Sequence, residues 1–329
     1  MTLQLSPATP VDHAPPAETP DTTQGMLALG RYLQSVDYQF VAVTPDTHQH
    51  YLRRMADRPV RDLRDVFGWS RPFRQDQVST DEFELMQQAG VLGHKGEVWR
   101  SRIRWSSLGN WLCAHSAYPT DSADAVFFGP DTYRFARLIQ SYLADNAGSV
   151  RRAVDIGCGS GAGAMLVAGA CPDADVLAVD INPQALRMAA INTELAGLSN
   201  IRTAQSNLLN DVEGDFDLIV ANPPYMMDSQ ERAYRHGGGT LGAGLSERIV
   251  SAALERLAPG GSLVLYTGVA IVAGRDVFRE GLHQRLTTQP CSWRYQEIDP
   301  DVFGEELLKP AYAEVERIAA VGLVLTRDR

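Results

Sequence analysis

A chain of 329 residues with a net charge of −10 is long for one domain and comfortable for two, and its acidity argues against a generic polyanion binder. No apolar run reaches membrane-spanning length, and the N-terminus lacks a basic-then-apolar leader pattern, so neither a membrane partner nor an export signal is expected. Cys113, Cys158, Cys171 and Cys291 lie far apart with no CxxC pair, which reads as free thiols of a reducing, cytoplasmic compartment rather than a disulfide frame or a metal site.

Residues 1–22 are rich in Pro, Thr, Asp and Ala without an apolar period, and a disordered tail is expected there. A smaller unit over 23–122 follows. Met26, Leu27, Leu29, Leu33 and Val36 have helical spacing, as do Leu63, Val66 and Phe67. Thr80-Asp81-Glu82 opens a further helix ending near Ala89-Gly90. Val98 to Ala114 reads as a β-hairpin turning at Gly109-Asn110. Helices followed by a hairpin resemble a winged-helix module. Between residues 51 and 110 there are 11 Lys+Arg against 8 Asp+Glu, and Arg100, Arg102 and Arg104 alternate as though on one strand face. That face is a docking surface for nucleic acid or an acidic partner, or a solvated hairpin.

A second unit, 123–329, starts with Phe127-Phe128-Gly129-Pro130-Asp131-Thr132, a turn in which Asp131 or Thr132 caps the helix Tyr133 to Leu143. From Val150 strands alternate with helices, the pattern of a doubly wound sheet. Ala153 to Ile156 is its first strand. Gly157-Cys158-Gly159-Ser160-Gly161 is a turn that lets backbone approach a ligand. Val176 to Val179 is the second strand, with Asp180 at its tip, where a carboxylate can take both hydroxyls of a ribose. The glycines also fit the dinucleotide fingerprint, but Asp155 inside the first strand would repel a pyrophosphate. Leu218 to Ala221 is the fourth strand, stopped by Asn222-Pro223-Pro224-Tyr225. Neither proline has an N–H, and each restricts the residue before it, so Asn222 is held at the strand tip. An amide oxygen, a free carbonyl and an aromatic face suit holding an N–H₂ group beside a cation.

Asp155-Ile156-Gly157-Cys158-Gly159-Ser160-Gly161, Asp180 and Asn222-Pro223-Pro224-Tyr225, in this order and spacing, resemble the class I S-adenosylmethionine-dependent methyltransferases. The last motif is similar to that of their amino-group branch, which includes release-factor glutamine methyltransferases. The resemblance covers about 124–329. It implies an α/β fold: a seven-stranded, doubly wound, Rossmann-like sheet with the last strand antiparallel, beside the smaller helical, winged-helix-like N-terminal domain. Ser262 to Thr267, Trp293 to Ile298 and Ala319 to Thr326 are its strands five to seven. By the same resemblance Asp155, Gly157, Gly159 and Gly161 hold the methionine moiety of S-adenosylmethionine. Asp180 and Ile181 meet the ribose side, and Asn207 stands where the family often has an adenine-binding Asp. Phe128 and Pro130 belong to a segment that closes over the cofactor. Asn222 and Pro223 would accept the two N–H bonds of the target, with Tyr225 stacking on it, and no metal is implied.

The implied activity is methyl transfer to an amino or amide nitrogen of a protein glutamine, an RNA base or a small amine. Cyclisation of the cofactor to an azetidine amino acid with release of methylthioadenosine, and a non-catalytic binding role, are the alternatives. Tyr234 to Gly239 is expected as a flexible loop over the pocket. Between strands six and seven, Glu305 to Leu308 and Ala311 to Arg317 look helical.

Overall fold

The computed structural model describes residues 20–228, 232 and 234–329. Residues 1–19 of the expected tail lie outside them, and Pro20 already opens a helix. Helix α1 (Pro20–Ser35) turns Met26, Leu27, Leu29 and Leu33 inward. Helix α2 (Pro45–Met55) starts on Thr44, whose hydroxyl accepts from the Thr47 N–H. Leu63, Val66 and Phe67 lie in or beside a single wide turn over Arg64–Gly68 rather than a helix of normal pitch. Helix α3 (Thr80–Gln88) begins at the expected residue. Ser79 is its cap, and Ser79 and Glu82 exchange bonds through their side chains at 2.8 and 3.2 Å, which satisfies two otherwise orphaned donors.

Two ribbons follow: β1 (Leu92–Lys95) with β2 (Val98–Ser101), and β3 (Ile103–Leu108) with β4 (Trp111–Ser116), the latter turning at Gly109-Asn110. The break at Arg102 separates β2 from β3, so the three arginines do not form one face. Arg104 is 5% exposed, while Arg100 and Arg102 stay outside.

The remaining elements form the sheet and its covering helices. They are α4 (Pro130–Asn146), β5 (Arg152–Ile156), α5 (Ala162–Ala170), β6 (Asp175–Asp180), α6 (Pro183–Leu195), β7 (Ile201–Gln205), β8 (Phe216–Ala221), α7 (Gly244–Arg256), β9 (Leu257–Val272), the two-residue β10 (Arg275–Asp276), α8 (Val277–Leu286), β11 (Cys291–Asp299) and β12 (Arg317–Arg327). The strand order is β11-β12-β9-β8-β5-β6-β7, with β10 on the flank of β9. Strands β5 to β9 run parallel, and β12 is antiparallel to both its neighbours. The expected fifth, sixth and seventh strands lie inside β9, β11 and β12, with the antiparallel member where it was expected. Strands β5 and β8 are buried almost throughout because helices cover both sheet faces. The expected helices between β11 and β12 are two tight single turns, Gly304–Leu308 and Pro310–Tyr312, and Arg317 already belongs to β12.

Strand order reverses between β5 and β8. Open parallel sheets bind ligands in the crevice beyond the carboxyl ends of such a pair.

Candidate active site

At that crevice Ile156 pairs with Ala221, so the next residues, Gly157 and Asn222, leave neighbouring strand tips about 5 Å apart. Gly157, Gly159 and Gly161 all have positive φ, +68°, +52° and +84°, a region where a side chain is strained. A Cβ at Gly157 or Gly159 would meet nothing within 4 Å. The turn therefore borders open space on the ligand side. At Gly161 the Cβ would sit 3.0 Å from Ala189, so that glycine serves packing.

Asp155 lies under this turn. Its Oδ2 accepts from the Ala164 N–H at 2.9 Å, and a Cβ on Gly163 would come within 2.7 Å of the same oxygen. The carboxylate thus ties the strand end to the first turn of α5. Burial, reinforced by Asp180 and opposed by the Ala164 N–H, pushes the Asp155 carboxyl up to about 7. Asp180 holds the turn from the other side. Its Oδ2 accepts from Gly159 N–H at 3.0 Å and its Oδ1 from Asn182 N–H at 2.9 Å. Burial raises its pKa as well. Beside it, just past the end of β6, Ile181 is 52% exposed. A cavity of about 390 Å³ opens there, lined by Ile181, Gln205, Ser206, Asn207 and Asp211. The Asn207 backbone is held by Asp211 Oδ2 at 3.2 Å.

Asn222 is half-buried, Pro223 buried and Pro224 half-buried. Tyr225 departs from the sequence reading. It is 6% exposed, its ring lies so close over Gly268 that a Cβ there would be 2.1 Å away, and its hydroxyl donates to Asp131 Oδ2 at 2.5 Å. A ring enclosed in this way cannot offer an open face for stacking. The half-buried Phe303 meets it edge-on with centroids 6.0 Å apart.

Phe128 is a second departure. It is 1% exposed, stacked on His115 at 5.0 Å and edge-on to Tyr133 at 5.5 Å, so it is core and not a lid. Its neighbour Phe127 is the half-buried ring of the segment. Pro130 occupies the first turn of α4, where its missing N–H costs nothing.

The stretch Tyr234 to Gly239 is not a free loop. Met226 N–H donates to Arg235 O at 3.0 Å and Gly237 N–H to Met226 O at 2.9 Å. Gly237 and Gly242 face the Tyr225 backbone, where a Cβ would lie 2.7 and 2.1 Å away. The glycines are there for close approach, and the segment props the Asn222–Tyr225 turn. The insertion before β12 closes the side: Glu306, 2% exposed, pairs with Arg235 and Lys309, and the Tyr312 hydroxyl accepts from Met227 N–H at 2.8 Å.

Two roles escaped sequence reasoning, and Asp131 lies inside the first turn of α4, whose cap is Gly129, rather than capping it. Asp131 collects the Tyr225 bond and a second from the Tyr266 hydroxyl at 2.7 Å. Asn192, fully buried on α6, bonds both backbone groups of Ala114 at 2.7 and 3.0 Å and the carbonyl of Ser160 at 2.8 Å. A polar residue on the inward stripe of a helix was the only local signal for Asn192.

Residues 125–273 match the family model of the methyltransferase small domain. The release factor glutamine methyltransferase of Lactococcus lactis is 30% identical over 181 residues, 51% of this chain and 63% of that protein. The protein of the same name from Deinococcus radiodurans is 36% identical over 124 residues, 35% of this chain and 44% of its own. The ribosomal protein uL3 glutamine methyltransferase of Neisseria meningitidis is 36% identical over 155 residues, 44% of this chain and 48% of its own. The chain thus spans about half the length of the curated relatives it matches.

Proposed function

We propose that this chain, whose residues 125–273 match the methyltransferase small domain, transfers the methyl group of S-adenosylmethionine to the side-chain nitrogen of a glutamine in a protein. The observation that carries the reading is the placement of Asn222, fixed by two prolines, one strand away from the open glycine turn.

The residues fit the cofactor. The open side of Gly157 and Gly159 leaves room for its methionine part, and Asp155 and Asp180 bring negative charge to an ammonium and a ribose. The exposed Ile181 and the cavity wall at Asn207 suit a flat, partly apolar base. When bound, the sulfonium supplies a methyl group already activated for transfer. The work left to the chain is alignment, worth roughly 7–11 kcal/mol when complete. Among the described residues no donor reaches Asn222 Oδ1 or the Pro223 carbonyl; accepting the two N–H bonds of a carboxamide there would turn the nitrogen lone pair toward the methyl. The names of the relatives favour a protein glutamine over a base or a small amine.

The test is incubation of the protein with methyl-labelled S-adenosylmethionine and a cell extract, followed by digestion. We expect label as N5-methylglutamine in one or a few proteins, with S-adenosylhomocysteine as co-product. Label confined to RNA, or methylthioadenosine as the main product, would overturn the proposal.

A further inference from the structure

Tyr225 is enclosed on several sides. Its ring lies against Gly268, its backbone abuts Gly237 and Gly242, and Pro223 and Pro224 restrict the chain before it. Its hydroxyl, donating to Asp131 Oδ2 at 2.5 Å, hydrogen-bonds the turn to the start of α4.

Asp131 is 3% exposed. A carboxylate taken that far from water is tolerable only when paired and hydrogen-bonded. Three donors satisfy it: Tyr225, Tyr266 at 2.7 Å, and Arg134 at 3.1 Å, which also reaches Asp299 at 2.7 Å. Burial pushes its pKa up, while both tyrosines and Arg134 pull it down. Its oxygens are taken by protein donors.

We propose that Asp131 is a positioning residue: by holding the Tyr225 hydroxyl it sets where Asn222 and Pro223 present their oxygens, without itself touching cofactor or acceptor. The inference rests on the methyl-transfer reading above. Reacting atoms must be held at about 3–3.5 Å, and a misplacement of about 1 Å costs on the order of a hundredfold in rate. Releasing the pin should therefore appear in kcat.

Four variants test it, assayed on the protein acceptor that labelling identifies: Tyr225→Phe, Asp131→Asn, the two combined, and Arg134→Gln. Tyr225→Phe keeps the ring in its seat and removes only the bond. Arg134→Gln takes a partner from the same carboxylate but leaves both tyrosine bonds. We expect Tyr225→Phe and Asp131→Asn each to lower kcat about 10- to 100-fold, with the acceptor KM and cofactor Kd within about threefold. The double variant should fall little further, and Arg134→Gln should lose less than about fivefold.

Unchanged turnover in Tyr225→Phe would overturn the role of Asp131 and leave the methyl-transfer reading intact. So would equal losses in Tyr225→Phe and Arg134→Gln that track a common fall in Tm. A wild-type protein that methylates nothing overturns both. Should Asp131→Asn fail to fold, Tyr225→Phe decides.

Discussion

Asn222 stands one residue past a strand whose last four residues are buried, and its backbone has little freedom because a proline follows. Its contribution is an acceptor aimed at a reacting nitrogen, not a share of the core. Asn222→Ala is therefore expected to lower methyl transfer at least a hundredfold, about 3 kcal/mol of alignment and polar stabilisation. Cofactor affinity measured by calorimetry should stay within threefold. A variant with normal turnover would remove the side chain from the mechanism.

Asp155 lends itself to a pH experiment. Its carboxyl titrates near 7 in the fold against about 3.9 in an unfolded chain. The folded state therefore holds the proton more tightly, and stability falls as pH rises between those values, levelling above 7. Denaturation at pH 5 and pH 7.5 should show wild type losing a few kcal/mol relative to Asp155→Asn across that interval. Cofactor affinity should rise over the same interval, since a cationic ammonium favours the ionised carboxyl. An identical pH response in both proteins would mean that the Asp155 carboxyl does not change charge between those values.

Asp155, the glycine turn, Asp180 and the Asn-Pro-Pro-Tyr turn were legible because each depends on local chemistry: a strand end, a positive φ, a missing N–H. Asp131 was not, since its partners lie 94 and 135 residues away in the chain. Tyr225 and Phe128 were assigned exposed roles because their sequence neighbours do not reveal what covers them.

Among elements, α6 occupies a pivotal place. Its Asn192 serves the outer edge of β4 as a neighbouring strand would, pairing with both Ala114 backbone groups, and also holds Ser160 of the glycine turn. Ala114 and Trp105 are directly opposed across the hairpin, and those Ala114 groups point outward. Asn192→Ala leaves three buried backbone groups unpaired, at about 1–3 kcal/mol for each group that water cannot reach. We expect a loss of roughly 2–4 kcal/mol in urea unfolding, with weaker cofactor binding because the glycine turn loses a tether. A loss below about 1 kcal/mol would mean that the clamp is not structural.

The strand pattern of 150–329 could be read from sequence because buried parallel strands are short apolar runs at regular spacing. The arginine face could not. A single bend at Arg102 changes which side each arginine takes, and alternation within a segment does not reveal where a ribbon ends.

At the scale of the molecule, the boundary expected near residue 122 divides the chain by pattern, but the packing crosses it. One apolar cluster joins Met26, Leu27 and Leu33 of α1, Phe83 and Met86 of α3 and Trp105 of β3 to Ala185, Met188, Ile191 and Leu195 of α6. A Cβ on Gly30 would lie 2.7 Å from Leu195 and 2.9 Å from Trp105, so the contact is close-packed. Composition and period report where elements change type. They do not report which helix face two units share, because an inward stripe looks the same whichever core receives it. We therefore propose that 20–122 and 123–329 fold as one cooperative unit. Removing residues 1–122 would bare the α6 stripe, where Met188, Ile191 and Leu195 each stabilise by about 1.5–3 kcal/mol when buried. The truncated chain is expected to aggregate or lose its near-ultraviolet dichroism, and the full chain to unfold in a single transition with coincident probes. A soluble fragment 123–329 with native dichroism and full cofactor affinity would show that the shared cluster is dispensable and that the boundary at 122 is a true domain border.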